Sequence, residues 1–308
     1  MSSKYLTKGM RPDADTIVKS LHGDYYHVSG TRQNMLPSLL FHYTSAAGLL
    51  GIVTSRVLRA SNFAYLNDST EIRYGESVVR EILAKHVADA TGLAKDALGV
   101  TLQVIERLTA DIEFYLTCFC TESDLLSQWR GYGTASGRFC VAFDCDKLFN
   151  QTPSLKHRLK KVIYDRKTQD AKIMAVIDRA KVALGEAVAL NATQQKDCVK
   201  RICSELFEKL IWELCFFKHP GFAEEKEWRA VHWMEDTAQM KFEARGGTIR
   251  PFVEMFNSGQ PSPLPIAEVI VGSSIIGSPT KKTVELLLEA CHYQAVKVRE
   301  SGVPFRDV

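Results

Sequence analysis

The sequence lacks the motifs that most often identify an enzyme. It has no GxxxxGK[ST] phosphate loop, no GxGxxG after a predicted strand, no GxSxG nucleophile turn and no HExxH zinc motif. Gly131, Gly133 and Gly137 lie close together, but their spacing is generic. A turn before the strand that begins near Arg138 accounts for them without a phosphate loop. The common signatures of nucleotide binding, esterase chemistry and zinc proteolysis therefore give no guide to function.

A strong charge bias, long apolar runs and regular metal-ligand spacings are also missing. Lys and Arg together number 39 and Asp and Glu 36, so the net charge of +3 is too small to imply a nucleic-acid partner. No apolar run reaches the length of a membrane span, and the first residues lack the apolar core of a signal peptide. Cys118-Phe-Cys120 is CxC with no His at finger-like spacing, so we expect no metal. Because several of the eight cysteines lie in apolar patterns, we expect a reduced, cytoplasmic protein with no membrane partner.

The order of predicted elements indicates an α+β fold. Strand patterns are grouped at both ends of the chain around a helical middle, which is not the alternation of a βαβ protein. We expect two small, mainly antiparallel sheets packed together, with flanking and inserted helices. The expected organisation is an N-terminal arm over 1–35 and a single domain over 36–308, with a helical insert at about 168–217. The last helix of that insert repeats apolar residues at helical spacing, namely Cys198, Ile202, Leu206, Leu210 and Leu214.

The stretch Phe222-Ala-Glu-Glu-Lys-Glu-Trp-Arg229 is the main candidate for a site. It follows a predicted helix and begins a predicted strand. If it is extended from Glu225 onward, then Glu225, Glu227 and Arg229 share one face, and Trp228 points into the core. Two carboxylates and a guanidinium would then converge on one place. The alternative is an edge strand with exposed charges and no function.

Several motifs are spread along the chain: Phe41-His-Tyr-Thr44, Tyr65-Leu-Asn-Asp68, Ser127-Gln-Trp-Arg-Gly-Tyr132, and Phe217-Lys-His-Pro-Gly-Phe222 followed by Glu225-Lys-Glu-Trp-Arg229. In combination they resemble a widespread bacterial domain-of-unknown-function family. The resemblance extends from about Leu40 to Arg306. The family name carries no activity with it.

The His-Tyr strand, the helix after it and the later acidic segment are also similar to the ADP-ribosyltransferase fold. This resemblance implies that NAD is the substrate. His42 would contact the dinucleotide, and Tyr43 or Tyr65 would offer a flat face to the nicotinamide. Arg-modifying members of that fold have a Glu-x-Glu site, which Glu225-Lys-Glu227 would match.

The implied chemistry suits these residue types. Cleavage of the ribose–nicotinamide bond passes through a cationic, oxocarbenium-like state, which a nearby carboxylate stabilises. Glu227 would take this role, and Glu225 would orient the acceptor, which is an unknown protein, nucleic acid, small molecule or water. Arg130 or Arg229 would pair with the pyrophosphate. We therefore predict one cleft surrounded by His42, Tyr43, Arg130, Glu225, Glu227 and Arg229. Placement of His42 and Glu227 on opposite surfaces would overturn the functional reading as a whole.

Two other classes of function stay open. One is a metal-dependent nucleic-acid-processing enzyme whose acidic cluster is Asp68, Glu71, Glu225 and Glu227. The other is a non-enzymatic binding module in which the charges form only a buried network. NAD turnover, a Mg²⁺-dependent cut or neither would separate the three hypotheses. For an NAD-consuming enzyme, a bacterial toxin or a phage-defence effector is the expected setting. We interpret Trp129 and Trp228 as core residues.

Overall fold

The computed structural model describes residues 13–21, 36–65, 70–108, 114–131, 137–152, 158–233, 237–245, 247–256, 262–273 and 280–304. The side chains of residues 70, 71, 108, 237 and 245 lie outside this description. All structural statements below refer to the described residues.

Strands lie before and after a long helical stretch of the chain, as predicted. The strands are β1 Leu39–Thr44, β2 Leu58–Asn62, β3 Phe114–Cys120, β4 Phe139–Asp144, β5 Leu159–Lys161, β6 Glu227–Trp233, β7 Lys241–Arg245, β8 Thr248–Phe256, β9 Ile266–Val271 and β10 Lys297–Glu300. The α-helices are α1 Ala14–Leu21, α2 Ala46–Ser55, α3 Thr70–Asp89, α4 Gly92–Leu108, α5 Leu126–Gly131, α6 Cys145–Gln151, α7 Arg166–Ala187, α8 Ala192–Leu214 and α9 Thr280–Ala290. None of these helices combines the length and the apolar character that crossing a membrane requires.

The first of two compact units is helical, and it is assembled from stretches of chain within 1–27, 72–112 and 165–217. In it, α1 and α4 pack against the helices α7 and α8. The apolar repeat predicted for α8 is confirmed, since Cys198, Ile202, Leu206, Leu210 and Leu214 are all buried. Helices α7 and α8 occupy the stretch where we expected an insert, and α1 lies within the expected arm. Helices α7 and α8 pack with α1 and α4 in the helical unit, and the strands lie in the other unit.

Gly75, in α3, lies against the end of α8. A β-carbon added at Gly75 would be 2.5 Å from the backbone oxygen of Leu214. Alanine in place of a helical glycine normally stabilises by up to about 1 kcal/mol, because glycine loses more entropy on folding. At Gly75 we expect Gly75→Ala to lower the melting temperature instead, since a backbone oxygen cannot rotate away.

Gly99, in α4, provides the matched control. An added β-carbon there meets nothing within 4 Å, so Gly99→Ala is expected to raise the melting temperature. Thermal unfolding of both variants tests the packing. If the two changes shift the melting temperature in the same direction, α3 does not approach α8 as described.

The second compact unit contains the described strands together with α2, α5, α6 and α9, within residues 28–71, 113–164 and 218–308. The strand order is β10-β9-β4-β1-β3-β2-β8-β7, with β6 paired to β3 and β5 paired to β6. Neighbours are antiparallel except for β9 and β10, which are parallel. The predicted α+β class and its mainly antiparallel pairing are confirmed.

The sheet branches at β3, and this corrects the expectation of two separate sheets packed together. One edge of β3 pairs with β6 from Phe114 to Cys120. The other edge is shared, because β1 pairs only at Cys120 and β2 pairs at Tyr115 and Leu116. The strands on either side of β3 therefore belong to one ten-stranded hydrogen-bonded sheet.

The two faces of this sheet carry different buried clusters. The larger face includes Leu40, Phe119, Trp228 and Ala230. The smaller face includes Phe41, Tyr43, Cys120, Trp129, Cys140, Ala142 and Ile270. Both Trp129 and Trp228 are core residues, as predicted. Residues that are paired across neighbouring strands point to the same face of the sheet. The face on which a site residue lies can therefore be read from its strand partner.

Candidate functional site

The candidate acidic segment is a turn followed by a strand. Residues Pro220–Glu225 form a 3₁₀ helix, whose first turn is capped because the Gly221 N–H donates to Nδ1 of His219 over 3.1 Å. Lys226 then adopts φ 47°, and β6 begins at Glu227. The extended conformation therefore begins at Glu227 and does not include Glu225, since the proline at the start of this turn favours a helical bend. Glu227 and Arg229 do share a strand face, as predicted.

Glu227 lies in a buried network of charges. Nε of Arg229 donates to one of its carboxylate oxygens over 2.7 Å, and Arg229 Nη2 donates to the other over 3.0 Å. Lys218 Nζ donates to the second oxygen over 3.1 Å and to Glu225 over 2.6 Å. The Glu227 N–H donates to the hydroxyl of Tyr164 over 2.9 Å. Two carboxylates and two cations thus compensate one another.

Burial and neighbouring charges shift the pKa of the Glu227 carboxyl group in opposite directions. Only 5% of the residue is exposed, and burial alone would raise the pKa of its carboxyl group. The positive charges of Arg229 and Lys218, with hydrogen bonds from Arg229 and the Cys118 thiol, overcome burial and lower the pKa to about 2. Glu227 is therefore an anion at neutral pH.

A small pocket opens beside this network. It is lined by Phe41, Tyr43, Cys118, Phe119, Cys120, Gln128, Glu225 and Glu227. Its space for a water-sized molecule is about 10 Å³, which is room for about one water. The pocket is therefore a shallow recess beside the network and does not enclose a ring or a dinucleotide.

Two walls of the pocket come from β1 and α5. Tyr43 packs edge-on against Trp129, with ring centroids 4.8 Å apart. Its hydroxyl donates to the backbone oxygen of Glu122 and accepts from the Leu125 N–H, each over 3.0 Å. Burial raises the Tyr43 pKa, so the hydroxyl stays protonated. On α5, Gln128 is only 7% exposed and lines the pocket.

His42 does not take part in this site. Its neighbours on β1, Phe41 and Tyr43, lie on the smaller face of the sheet, so His42 points to the larger face. There its ring contacts Phe119 edge-on at 5.9 Å, and Nδ1 is 2.8 Å from the Cys118 backbone oxygen. Glu227 pairs with Cys120 and lies on the smaller face. The predicted cleft between His42 and Glu227 is therefore wrong.

The other predicted NAD contacts are also separated from the pocket lining. Tyr65 follows β2, is 39% exposed, and has the Arg250 guanidinium 5.9 Å from its ring centre. Arg130 is exposed on α5. Arg229 is buried beneath Glu227, so its guanidinium is occupied by that carboxylate. Of the predicted residues, Tyr43, Glu225 and Glu227 line the pocket together.

Two important residues were not singled out in the sequence. Lys218 links both carboxylates, and its place in Phe217-Lys-His-Pro-Gly-Phe222, just before the acidic run, was the available signal. Gln128 lies in the Ser127-Gln-Trp-Arg stretch, but nothing in that spacing connects it with residues about a hundred positions later. That connection depends on tertiary structure.

The structure describes only some of the residues of the acidic cluster that a metal-dependent nucleic-acid-processing enzyme would use. Asp68 and the side chain of Glu71 lie outside the description, so their relation to Glu225 and Glu227 is not part of the structure. Within the described part of the chain, no group of three or more His, Cys, Asp or Glu residues is arranged to hold a metal ion. All eight cysteines are free thiols.

Residues 128–230 match the model of a family described as a protein of unknown function, DUF2971. The match begins at Gln128 and includes Lys218, Glu225, Glu227 and Arg229. No curated protein matches the chain, and no solved structure matches it. The predicted resemblance to a domain-of-unknown-function family is therefore confirmed over residues 128–230.

Proposed function

We propose that this protein is an NAD-consuming enzyme of the ADP-ribosyltransferase type, working at the pocket beside Glu225 and Glu227. One observation carries the proposal: two carboxylates and an aromatic residue, Tyr43, line the same small pocket. The resemblance of the Glu225-Lys-Glu227 segment to the Glu-x-Glu site adds support. His42 lies on the opposite face of the sheet from Glu227, so the dinucleotide cleft expected from the sequence no longer supports an NAD enzyme, and the proposal rests on the pocket alone. Tyr65 and Arg130 do not line that pocket either.

The two carboxylates differ in what they can reach. The side chain of Glu225 is 22% exposed, whereas that of Glu227 is 7% exposed and both its oxygens bind Arg229. We therefore assign the contact with substrate to Glu225. Glu227 acts as a positioning residue, since it holds Lys218, and Lys218 holds the Glu225 carboxylate.

The reaction needs few protein groups. The bond between ribose C1′ and the nicotinamide nitrogen breaks, and its electron pair leaves with neutral nicotinamide. The ribose carbon becomes cationic, and the Glu225 carboxylate stabilises that charge. The acceptor, or water, then forms a new bond to C1′ and releases a proton. A carboxylate held ionised by a preorganised network suits this role, because no reorganisation is needed during the reaction.

Nicotinamide release tests the proposal. The purified full chain is incubated with NAD, alone and with protein, nucleic-acid and small-molecule acceptors, and free nicotinamide is measured by chromatography. Release above the rate without protein is expected, with ADP-ribose as the second product when water is the acceptor. If no condition yields nicotinamide, the proposed activity is wrong. A toxin or phage-defence setting stays a prediction that depends on this result.

A second candidate is a non-enzymatic binding module. It is favoured by the compensation of charge in the network, where Arg229 is fully buried and pairs with both oxygens of Glu227. Such a network can exist to fix local structure alone. In that case nicotinamide is not released, and variants of Glu225 change ligand binding without changing any reaction.

A further inference from the structure

We propose that this chain forms a two-fold symmetric dimer in which β7 of one copy pairs antiparallel with β7 of a second copy, centred on Phe242. Two features carry the inference: the backbone groups that β7 directs away from the sheet, and the order of charged and apolar residues along this strand. The inference concerns an edge of the sheet and does not depend on any reaction at the pocket beside Glu225.

Strand β7 is the last strand at one end of the sheet. It pairs with β8, and no other described strand pairs with it. Phe242 is opposite Pro251, which has no N–H, so these two residues cannot exchange a pair of hydrogen bonds. The N–H and C=O of Phe242 therefore point away from β8. Those of Ala244 do the same, because every second residue of a strand directs its backbone groups to the same edge. Such an edge is a template for one more strand.

The hairpin of β7 and β8 carries exposed apolar side chains at this edge. Phe242 is 62% exposed, and Ile249, which is opposite Ala244, is 70% exposed. Phe242 and Pro251 lie on the same face of the sheet as Val253, which belongs to the larger buried cluster. The apolar face of the sheet thus continues to its last strand, where a second copy would cover Phe242.

The charges on β7 select both the partner and the register. Lys241 and Glu243 flank Phe242 and lie on the other face of the strand. Each forms an ion pair within the chain, to Glu254 over 2.7 Å and to Arg59 over 2.8 Å respectively. Antiparallel pairing about Phe242 places Lys241 of each copy opposite Glu243 of the other, and it places the two Phe242 rings side by side. Pairing about Glu243 would instead oppose two carboxylates. The strand is therefore complementary to itself about Phe242.

This arrangement is closed. The two-fold axis runs perpendicular to the sheet at Phe242, so each copy uses the same edge and that edge is then covered in both. The backbone groups of Phe242 in the two copies pair with each other, and those of Ala244 pair with Met240 of the other copy. A dimer is expected, and not a fibre that grows by adding further copies.

Sedimentation velocity of the purified full chain, over a range of concentrations, tests the inference. We expect wild type to form a dimer that dissociates to monomers on dilution. Lys241→Glu and Glu243→Lys, each alone, oppose like charges across the interface, so each should raise the dissociation constant of the dimer at least about tenfold. An equimolar mixture of the two variants should restore dimers, because one copy then presents two carboxylates at these positions and the other presents two ammonium groups.

Ala244→Pro is a further variant that changes no charge. It removes an N–H that points away from β8, so the hairpin should keep its hydrogen bonds while the second copy loses one. We expect this variant to be monomeric, with a melting temperature near that of wild type. Lys282→Glu is the control, because Lys282 forms an exposed ion pair on α9, which packs on β10 at the other end of the strand order. It should dimerise like wild type.

The inference is overturned if wild type is monomeric at every concentration, or if the mixture of Lys241→Glu and Glu243→Lys stays monomeric. It is also overturned if these variants and Ala244→Pro each dimerise like wild type. Nicotinamide release is measured separately, so failure of the dimer leaves the proposed activity standing, and failure of the activity leaves the dimer standing.

Discussion

Glu227→Gln is expected to destabilise the protein by about 3–5 kcal/mol. The substitution keeps the size of the side chain but removes its charge, so the fully buried Arg229 loses its anionic partner. The carboxylate is well enclosed, because Glu227 is 5% exposed and both its oxygens are bound. Urea unfolding at neutral pH measures the difference.

The difference in stability between wild type and Glu227→Gln should disappear in acid. Because the folded-state pKa of Glu227 is about 2 and its ordinary value is 4.5, its contribution to stability is present above pH 4.5. That contribution is lost as the pH falls towards 2, so wild type and Glu227→Gln should converge there. Glu122→Gln is the control, since Glu122 pairs with Lys226 at an exposed site and should change stability little. A Glu227→Gln variant as stable as wild type at neutral pH would show that the network is not a structural unit.

Glu225→Gln is expected to lower the rate of NAD cleavage about a hundredfold or more, with little loss of stability. The carboxylate acts on the cationic transition state, and a neutral amide cannot replace that charge. The fold should tolerate the change, because Lys218 keeps Glu227 as a partner and the new amide can still accept a hydrogen bond. Nicotinamide release under saturating NAD and a thermal melt separate the two effects.

Glu224→Gln is the matched control for that experiment. Glu224 lies next to Glu225 in the same 3₁₀ helix but is exposed and does not line the pocket. Its variant should cleave NAD at the wild-type rate. If Glu225→Gln is as active as Glu224→Gln, then Glu225 does not contact the reacting group.

The sequence correctly predicted which face of the sheet the β6 side chains point to, because side chains alternate between the two faces along any strand. Trp228 and Ala230 are in the core, and Glu227 and Arg229 share the other face. The same rule places Tyr43 and His42 on opposite faces of β1, which was overlooked when both were assigned to one cleft. The resemblance suggested their roles, but alternation decides which of them can meet Glu227.

The parts of the site that could not be predicted depend on contacts between distant segments. Gln128 on α5 and Glu225 in the 3₁₀ helix meet only after β3 and β6 have paired. The branching of the sheet at β3 likewise requires three partner strands on one strand, which no local pattern indicates. Burial of Arg229 was expected only under the binding-module hypothesis, because a guanidinium in a charged run does not by itself indicate whether the fold will enclose it.

The most direct test of the central claim is a crystal structure of Glu225→Gln with NAD. Slow cleavage in this variant should preserve the dinucleotide, and the account predicts that its nicotinamide-side ribose lies next to residue 225, at the mouth of the pocket. A dinucleotide bound on the His42 face of the sheet, away from residue 225, would contradict the account.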